Sequence, residues 1–176
     1  MDSLWLIVLA LLVAIAAILV AASTRPDQFR TARTLRIAAS PERVFAMIND
    51  LRQMNTWNPF ALRETQGTAI YGGAAIGPGQ TFQFAGAKSG TGSIEITEAM
   101  PSSKVVMRLR MTKPMACDNR VEFTLEPQGA ATNVTWTMSG KQPLIAKAMT
   151  LFIDCDKMVG REFEAGLANL KAKAEA

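Results

Sequence analysis

The stretch CDNRVEFTLEPQGAATNVTWTMSG, residues 117–140, decides the fold. Cys117–Pro127 and Thr132–Gly140 alternate apolar and polar side chains on either side of the tight turn Gln128-Gly129-Ala130-Ala131. Period-two alternation puts Asn119, Val121, Phe123 and Leu125 on one face of the first strand. Val134, Trp136 and Met138 take the matching face of the second. An amphipathic run from Pro143 to Lys173 follows. Ile145, Met149, Phe152, Val159, Phe163, Leu167 and Leu170 recur in it at helical spacing, which predicts one long final helix. Gly160 and Gly166 lie inside this run and mark close packing against a sheet. A hairpin that hands its apolar face to a final helix predicts a curved sheet gripping that helix. A small apolar molecule fits the space between them.

The pattern extends backwards. Val105, Met107, Leu109 and Met111 share one face, and Val106, Arg108 and Arg110 take the other. Gly92–Thr97 alternates with Ile94 and Ile96 inward, Thr81–Phe84 places Phe82 and Phe84 together, and Thr68–Tyr71 is a short strand. One apolar and one wet face is the mark of an antiparallel sheet. Gly72–Gly79 reads as a loop. Arg33–Ala39 reads as the first strand, with Leu35 and Ile37 on one face. Ser40-Pro41-Glu42-Arg43 starts a helix, with Ser as cap and Pro at the first position. Asn49–Asn55 is a second short helix or turn, and Pro59 forces Asn58 into an extended conformation.

Leu4–Ala22 carries no charge. As a helix it would rise roughly 28 Å, enough for a hydrocarbon core. A cleavable signal competes, because Val20-Ala21-Ala22 offers small residues before Ser23. The segment Met1-Asp2-Ser3 has no basic residue, and the apolar run exceeds a usual signal core, so an uncleaved anchor is preferred. Arg25, Arg30, Arg33 and Arg36 follow the run against Asp27 alone, which predicts a cytoplasmic C-terminal domain. The expected organisation is an anchor over 1–23, a juxtamembrane linker over 24–32 and a ligand-binding domain over 33–174.

Composition narrows the chemistry. Lys and Arg number 19 against 15 acids, for a net charge of +4. The basic residues form no dense block with aromatics between them, so a nucleic-acid partner is not expected. There is no histidine, which removes the commonest general base and metal ligand. Cys117 and Cys155 stand far apart and form no CxxC pair. Gly77-Pro78-Gly79 is a turn without the phosphate-loop pattern. No metal or cofactor is implied.

Several short motifs together carry a resemblance. Ser40-Pro41-Glu42-Arg43-Val44-Phe45, Trp57-Asn58-Pro59-Phe60 and Glu98-Ala99-Met100-Pro101-Ser102-Ser103-Lys104-Val105 are similar to those of the SRPBCC superfamily. Phe123-Thr124-Leu125-Glu126-Pro127, Val134-Thr135-Trp136 and Asp156-Lys157-Met158-Val159-Gly160 add to it. The chain most resembles the START-like, polyketide cyclase/dehydrase-type branch, over about residues 33–173. The resemblance implies an α+β helix-grip fold: an antiparallel sheet around a long C-terminal helix, with a deep apolar cavity. It also implies binding of lipids, sterols, quinones or polyketides, with cyclase activity in some members. No catalytic residue carries over. Met54 stands where an aromatic residue often precedes the equivalent of Trp57, and the Gly72–Gly79 loop is unusually rich in Gly and Ala.

The candidate ligand-facing residues are Trp57, Phe82, Phe84, Met107, Leu109, Met111, Asn119, Phe123, Trp136, Met138, Met149, Phe152 and Asp156. Each apolar one among them also reads as ordinary core. Their richness in Met suits an adaptable apolar space. Asn119 shares parity with Val121 and Phe123 and should point inward. Asp156 either orients a ligand through Asn119, pairs with an Arg, or sits solvated at the edge of the stripe. Tyr71 reads as a loop anchor or a ligand-facing hydroxyl. The expected function is a membrane-anchored binding protein for a hydrophobic or amphipathic small molecule. The alternatives are a cyclase or dehydratase using one carboxylate, and a non-enzymatic adaptor.

Overall fold

The computed structural model describes residues 2–176. Contacts divide the chain into two units, Arg30–Gly140 with Asp156–Ala176, and Met1–Phe29 with Lys141–Cys155.

The larger unit is built on an antiparallel sheet. Its strands are β1 (Gln28–Ile37), β2 (Thr68–Gly73), β3 (Gln80–Gly86), β4 (Gly90–Met100), β5 (Lys104–Lys113), β6 (Cys117–Gln128) and β7 (Ala131–Lys141). The strand order is β1-β7-β6-β5-β4-β3-β2, a meander in which only β1 is brought in from the far end of the sequence. The deciding hairpin forms in the expected register. Phe123 faces Trp136, Leu125 faces Val134, and Gln128 faces Ala131. Gly129 turns the chain at φ +64, the left-handed conformation that a two-residue hairpin asks of its first central residue.

The helices of this unit are short, except the last. α1 (Asp2–Ser23) belongs to the smaller unit. α2 (Pro41–Ile48) starts as expected, with Ser40 Oγ accepting from the Arg43 amide at 3.4 Å. α3 (Leu51–Met54) fills the second helical stretch. Asn58 is extended at φ −65, ψ 117, as Pro59 requires, and its Oδ1 caps a further turn, α4 (Pro59–Leu62). Gln80 is fully buried and ties these helices to β3. Its Oε1 accepts from the Leu51 amide, and its Nε2 donates to Asp50 and to the Ala75 carbonyl.

The expected single final helix is two. α5 (Leu144–Met149) stops, residues 150–154 are not helical, and α6 (Cys155–Ala174) begins afresh. Thr150 and Ile153 are β-branched, and Asp154 favours the position before a helix over its interior. The first strand also begins earlier than expected, at Gln28, inside the stretch read as linker.

α6 packs on the inner face through an aromatic cluster. Phe163 stacks on Trp136 with centroids 4.3 Å apart and 7° between planes. Trp57 meets Trp136 and Phe123 edge-on, at 5.9 and 6.0 Å. The Trp57 indole donates to the Met47 carbonyl, and Asn169 of α6 donates to the Trp57 carbonyl. Both glycines of α6 sit at close approaches. A Cβ on Gly166 would lie 2.5 Å from Trp136 Cζ3 and 2.9 Å from Pro59 Cδ. A Cβ on Gly160 would clash with the Arg33 guanidinium.

In the smaller unit, α1 (Asp2–Ser23) is an apolar helix. Its segment Ser3–Ser23 is long and apolar enough to cross a membrane, as a span or a signal sequence would be. α5 packs against it.

These packings set measurable costs. Trp136→Ala should lose about 3–5 kcal/mol of stability, as for other large buried aromatics. Gly166→Ala should cost about 1–3 kcal/mol despite its better helix propensity, because a rigid ring blocks the methyl. Gly160→Ala should be close to neutral, since the tip of Arg33 can swing away. Denaturant midpoints of the three variants check this; a stabilised Gly166→Ala would contradict the close approach.

Candidate ligand-binding site

The strand pairings align inner-face residues into four rows across the sheet. The first joins Ala99, Val105, Phe123 and Trp136. The second joins Ile96, Met107, Val121 and Met138. Tyr71, Phe82, Ile94, Leu109, Asn119 and Gly140 form the third. Ala69, Phe84, Gly92, Met111 and Cys117 form the fourth. None of these residues is charged.

Burial falls along this series. Val105, Phe123 and Trp136 are buried, and so are Ile96, Met107 and Val121, whereas Met138 is half-buried. In the third row Ile94 and Leu109 are half-buried, and in the fourth so are Phe84, Met111 and Cys117. Phe60 and Val159 are likewise half-buried and pack against the core cluster. Tyr71, Phe82 and Phe84 form an aromatic ladder, with centroid distances of 4.8 and 5.8 Å. The face thus runs from sealed core into soft, apolar, partly accessible surface.

Two polar atoms on this face have no partner. Asn119 is 7% exposed; its Nδ2 lies 3.4 Å from Cys117 Sγ and 3.8 Å from Met138 Sδ. Its Oδ1 is buried without a hydrogen bond, as is Trp136 Nε1 two rows deeper. Each such group costs stability when nothing pairs with it. Sulfur partners are weak, so the Asn119 amide is nearly unsatisfied on both sides. Burial also pushes the Cys117 thiol pKa up, so Cys117 is a neutral, soft neighbour rather than a nucleophile.

Among the sequence-derived candidates, Phe82, Phe84, Met107, Leu109, Met111, Asn119, Phe123, Trp136 and Met138 all lie on the inner face. Trp57 is packed against its sealed end. Met149 and Phe152 belong to the smaller unit and are 41% and 74% exposed. The break after α5 ends the helical phase that had placed them on the α6 stripe. Asp156 is not among the inner-face residues either. Its exposed carboxylate accepts from Arg33 Nη2 at 3.0 Å, and Arg33 Nε reaches Glu164 at 2.9 Å. Arg33 thus lies across Gly160, forked between one acid a turn before it and another a turn after. Ile94, Phe60, Val159 and Cys117 were not singled out from sequence. Ile94 and Cys117 carry a signal in their inward parity and Val159 in its helical spacing; Phe60 needed the packing. No cluster of three metal-ligating side chains occurs among the described residues.

Known proteins place this geometry. Residues 28–175 match the family described as polyketide cyclase / dehydrase and lipid transport, and the chain belongs to that family. Solved structures share its helix-grip fold. Protein CV1439 from Chromobacterium violaceum is 17% identical, with TM-score 0.59, over 86% of this chain and 99% of that one. KanY protein is 16% identical, with TM-score 0.63, over 85% and 99%. DynU16, a protein in the dynemicin biosynthetic locus, is 15% identical, with TM-score 0.57, over 86% of this chain and 48% of that one. At these identities the likeness is one of fold. No curated protein matches.

The Arg33 fork has a pH signature. The Asp156 carboxyl is held below its ordinary 3.8, first by the Arg33 hydrogen bond and then by that of Thr31. An acid whose pKa is depressed in the folded state stabilises the fold above its ordinary value, and the contribution disappears as pH falls through the depressed one. Asp156→Asn should therefore melt slightly earlier than the parent at pH 7. The gap should close on acidification below the ordinary carboxylate range. A gap that persists at low pH would mean that the fork contributes through packing rather than charge.

Proposed function

We propose that this chain is a membrane-anchored binding protein for a hydrophobic or amphipathic small molecule, a lipid, quinone or polyketide-like compound. The ligand would lie on the inner face of the sheet, under α6. The observation that supports this most is the uncharged, Met-rich face that passes from sealed to half-buried and carries a buried, unpaired Asn119 Oδ1. Met138, Leu109 and Met111 offer adaptable apolar contact, as suits a ligand recognised by fit. Asn119 Oδ1 would accept from a hydroxyl or amide on the ligand. A carboxylate or phosphate headgroup fits poorly on these rows, because no cation stands there to offset its burial.

In this reading residues 1–23 stay attached as a membrane anchor. The arginines after it, against Asp27 alone, favour a cytoplasmic domain. The N-terminal residue of the mature protein and the compartment of a reporter fused at Ala176 test this directly. A chain beginning near Ser23 would remove the anchor from the account.

Ligand binding is tested by native mass spectrometry of the full chain, followed by extraction of whatever co-purifies. A neutral apolar compound should be found. Met138→Lys, at a half-buried position, should abolish co-purification while leaving the fold intact. Asn119→Leu should lower affinity by about 1–2 kcal/mol, or roughly 5- to 30-fold, if one hydrogen bond to a buried acceptor is lost. A ligand-free protein, or retention unchanged in Met138→Lys, would contradict the reading.

A further inference from the structure

The smaller unit has a helix that is inside-out for water. In α5 the buried side chain is Lys147, while Leu144, Ile145 and Met149 are exposed. The non-helical residues after it continue the pattern, with Phe152 74% exposed and Ile153 44%. A helix on the surface of a water-soluble domain does the reverse, turning its charges out and its leucines in. Five large apolar side chains exposed within ten residues form the kind of patch that marks a contact surface.

The position of this patch argues for what covers it. α5 packs against α1, and two bonds tie it and the residue before Pro143 to Asp27, four residues past the end of that helix. The Gln142 amide donates to the Asp27 carbonyl at 2.8 Å, and Lys147 Nζ pairs with the Asp27 carboxylate. Along Ser3–Ser23 only Ile18 and Ala22 have covered side chains, both near the C-terminal end. α5 therefore lies at the level where a spanning α1 would leave the hydrocarbon. Arg25 and Lys141 flank the same point in the chain, where cations meet lipid headgroups.

We propose that α5 and residues 150–153 form a second membrane contact, lying in the headgroup–acyl boundary of the bilayer that α1 crosses. The lipid surface solvates Leu144, Ile145, Met149, Phe152 and Ile153. Lys147 is pinned to Asp27 on the protein side. The inference rests on α1 being an uncleaved anchor. It explains why the apolar run of residues 143–153 is kept although it does not continue the stripe of α6.

Site-directed spin labelling of the full chain in phosphatidylcholine and phosphatidylglycerol vesicles tests it. Nitroxides are attached at Ile145→Cys and Phe152→Cys in a Cys117→Ser, Cys155→Ser background, all at positions where a label leaves the fold undisturbed or is checked by circular dichroism. Val13→Cys reports the anchor, and Gln128→Cys, in an exposed turn, reports water. Labels at Ile145 and Phe152 should collide with oxygen and lose access to a water-soluble nickel chelate. Their depth should be about 5–10 Å past the headgroup boundary. Nickel access like that of Gln128 would overturn the proposal while a shielded Val13 left the anchor standing. Shielding from both oxygen and nickel would mean a protein contact, such as a second copy, and would also overturn it. A water-accessible Val13 would remove the anchor and this proposal together.

Discussion

The stack of Trp136 on Phe163 holds the larger unit together. It is the one place where the sheet and α6 touch ring to ring, and Trp57 and Phe123 close around it. Gly166 is what allows α6 to come this near, since any side chain there would meet the Trp136 ring. With α6 fixed at this point, the rest of the inner face is determined by strand register. Rows near the stack are sealed, and in the rows beyond Met138 only Phe82 and Asn119 stay buried. The half-buried apolar face needs no special device; it is what remains when a helix grips one end of a sheet more tightly than the other.

The same arrangement sorts polar groups. Charges gather on the outer face, where Arg108 pairs with Asp118 and Arg120 with Glu122, and along the β1–α6 seam at Arg33. These pairs are exposed, and such pairs contribute little individually. The inner face keeps only Asn119 and the Trp136 indole as polar features with an unpaired atom. In the proposed function, the orphaned Asn119 acceptor would be the polar contact that a neutral ligand meets on this face.

Much of this was legible in the sequence because period-two alternation is a strong signal. Val121, Phe123, Trp136, Met138 and Asn119 all lie on the face that parity assigned them. The helix start at Ser40-Pro41 and the extended Asn58 followed from local sterics alone. The C-terminal region was harder. Helical spacing shows that one side of a segment is apolar, but not what will cover it. Residues 143–153 keep the apolar period, yet α5 packs with α1, and the break at 150–154 resets the helical phase. Helical spacing alone therefore puts Met149 and Phe152 on the stripe of α6, where they do not lie, and leaves Asp156 open between Asn119, an arginine and solvent, of which an arginine, Arg33, is the partner found. The partners that decided both cases lie more than 100 residues away in sequence, where spacing carries no information.

In the proposed function an apolar ligand occupies the half-buried end of the inner face. Methionine supplies its own probes. Methyl-13C methionine spectra recorded before and after the ligand is stripped from the full chain would test the claim directly. The signals of Met138 and Met111 should move, while that of Met100, exposed at the end of β4, should stay. Unchanged signals from Met138 and Met111, or equal movement of all methionines including Met100, would contradict it.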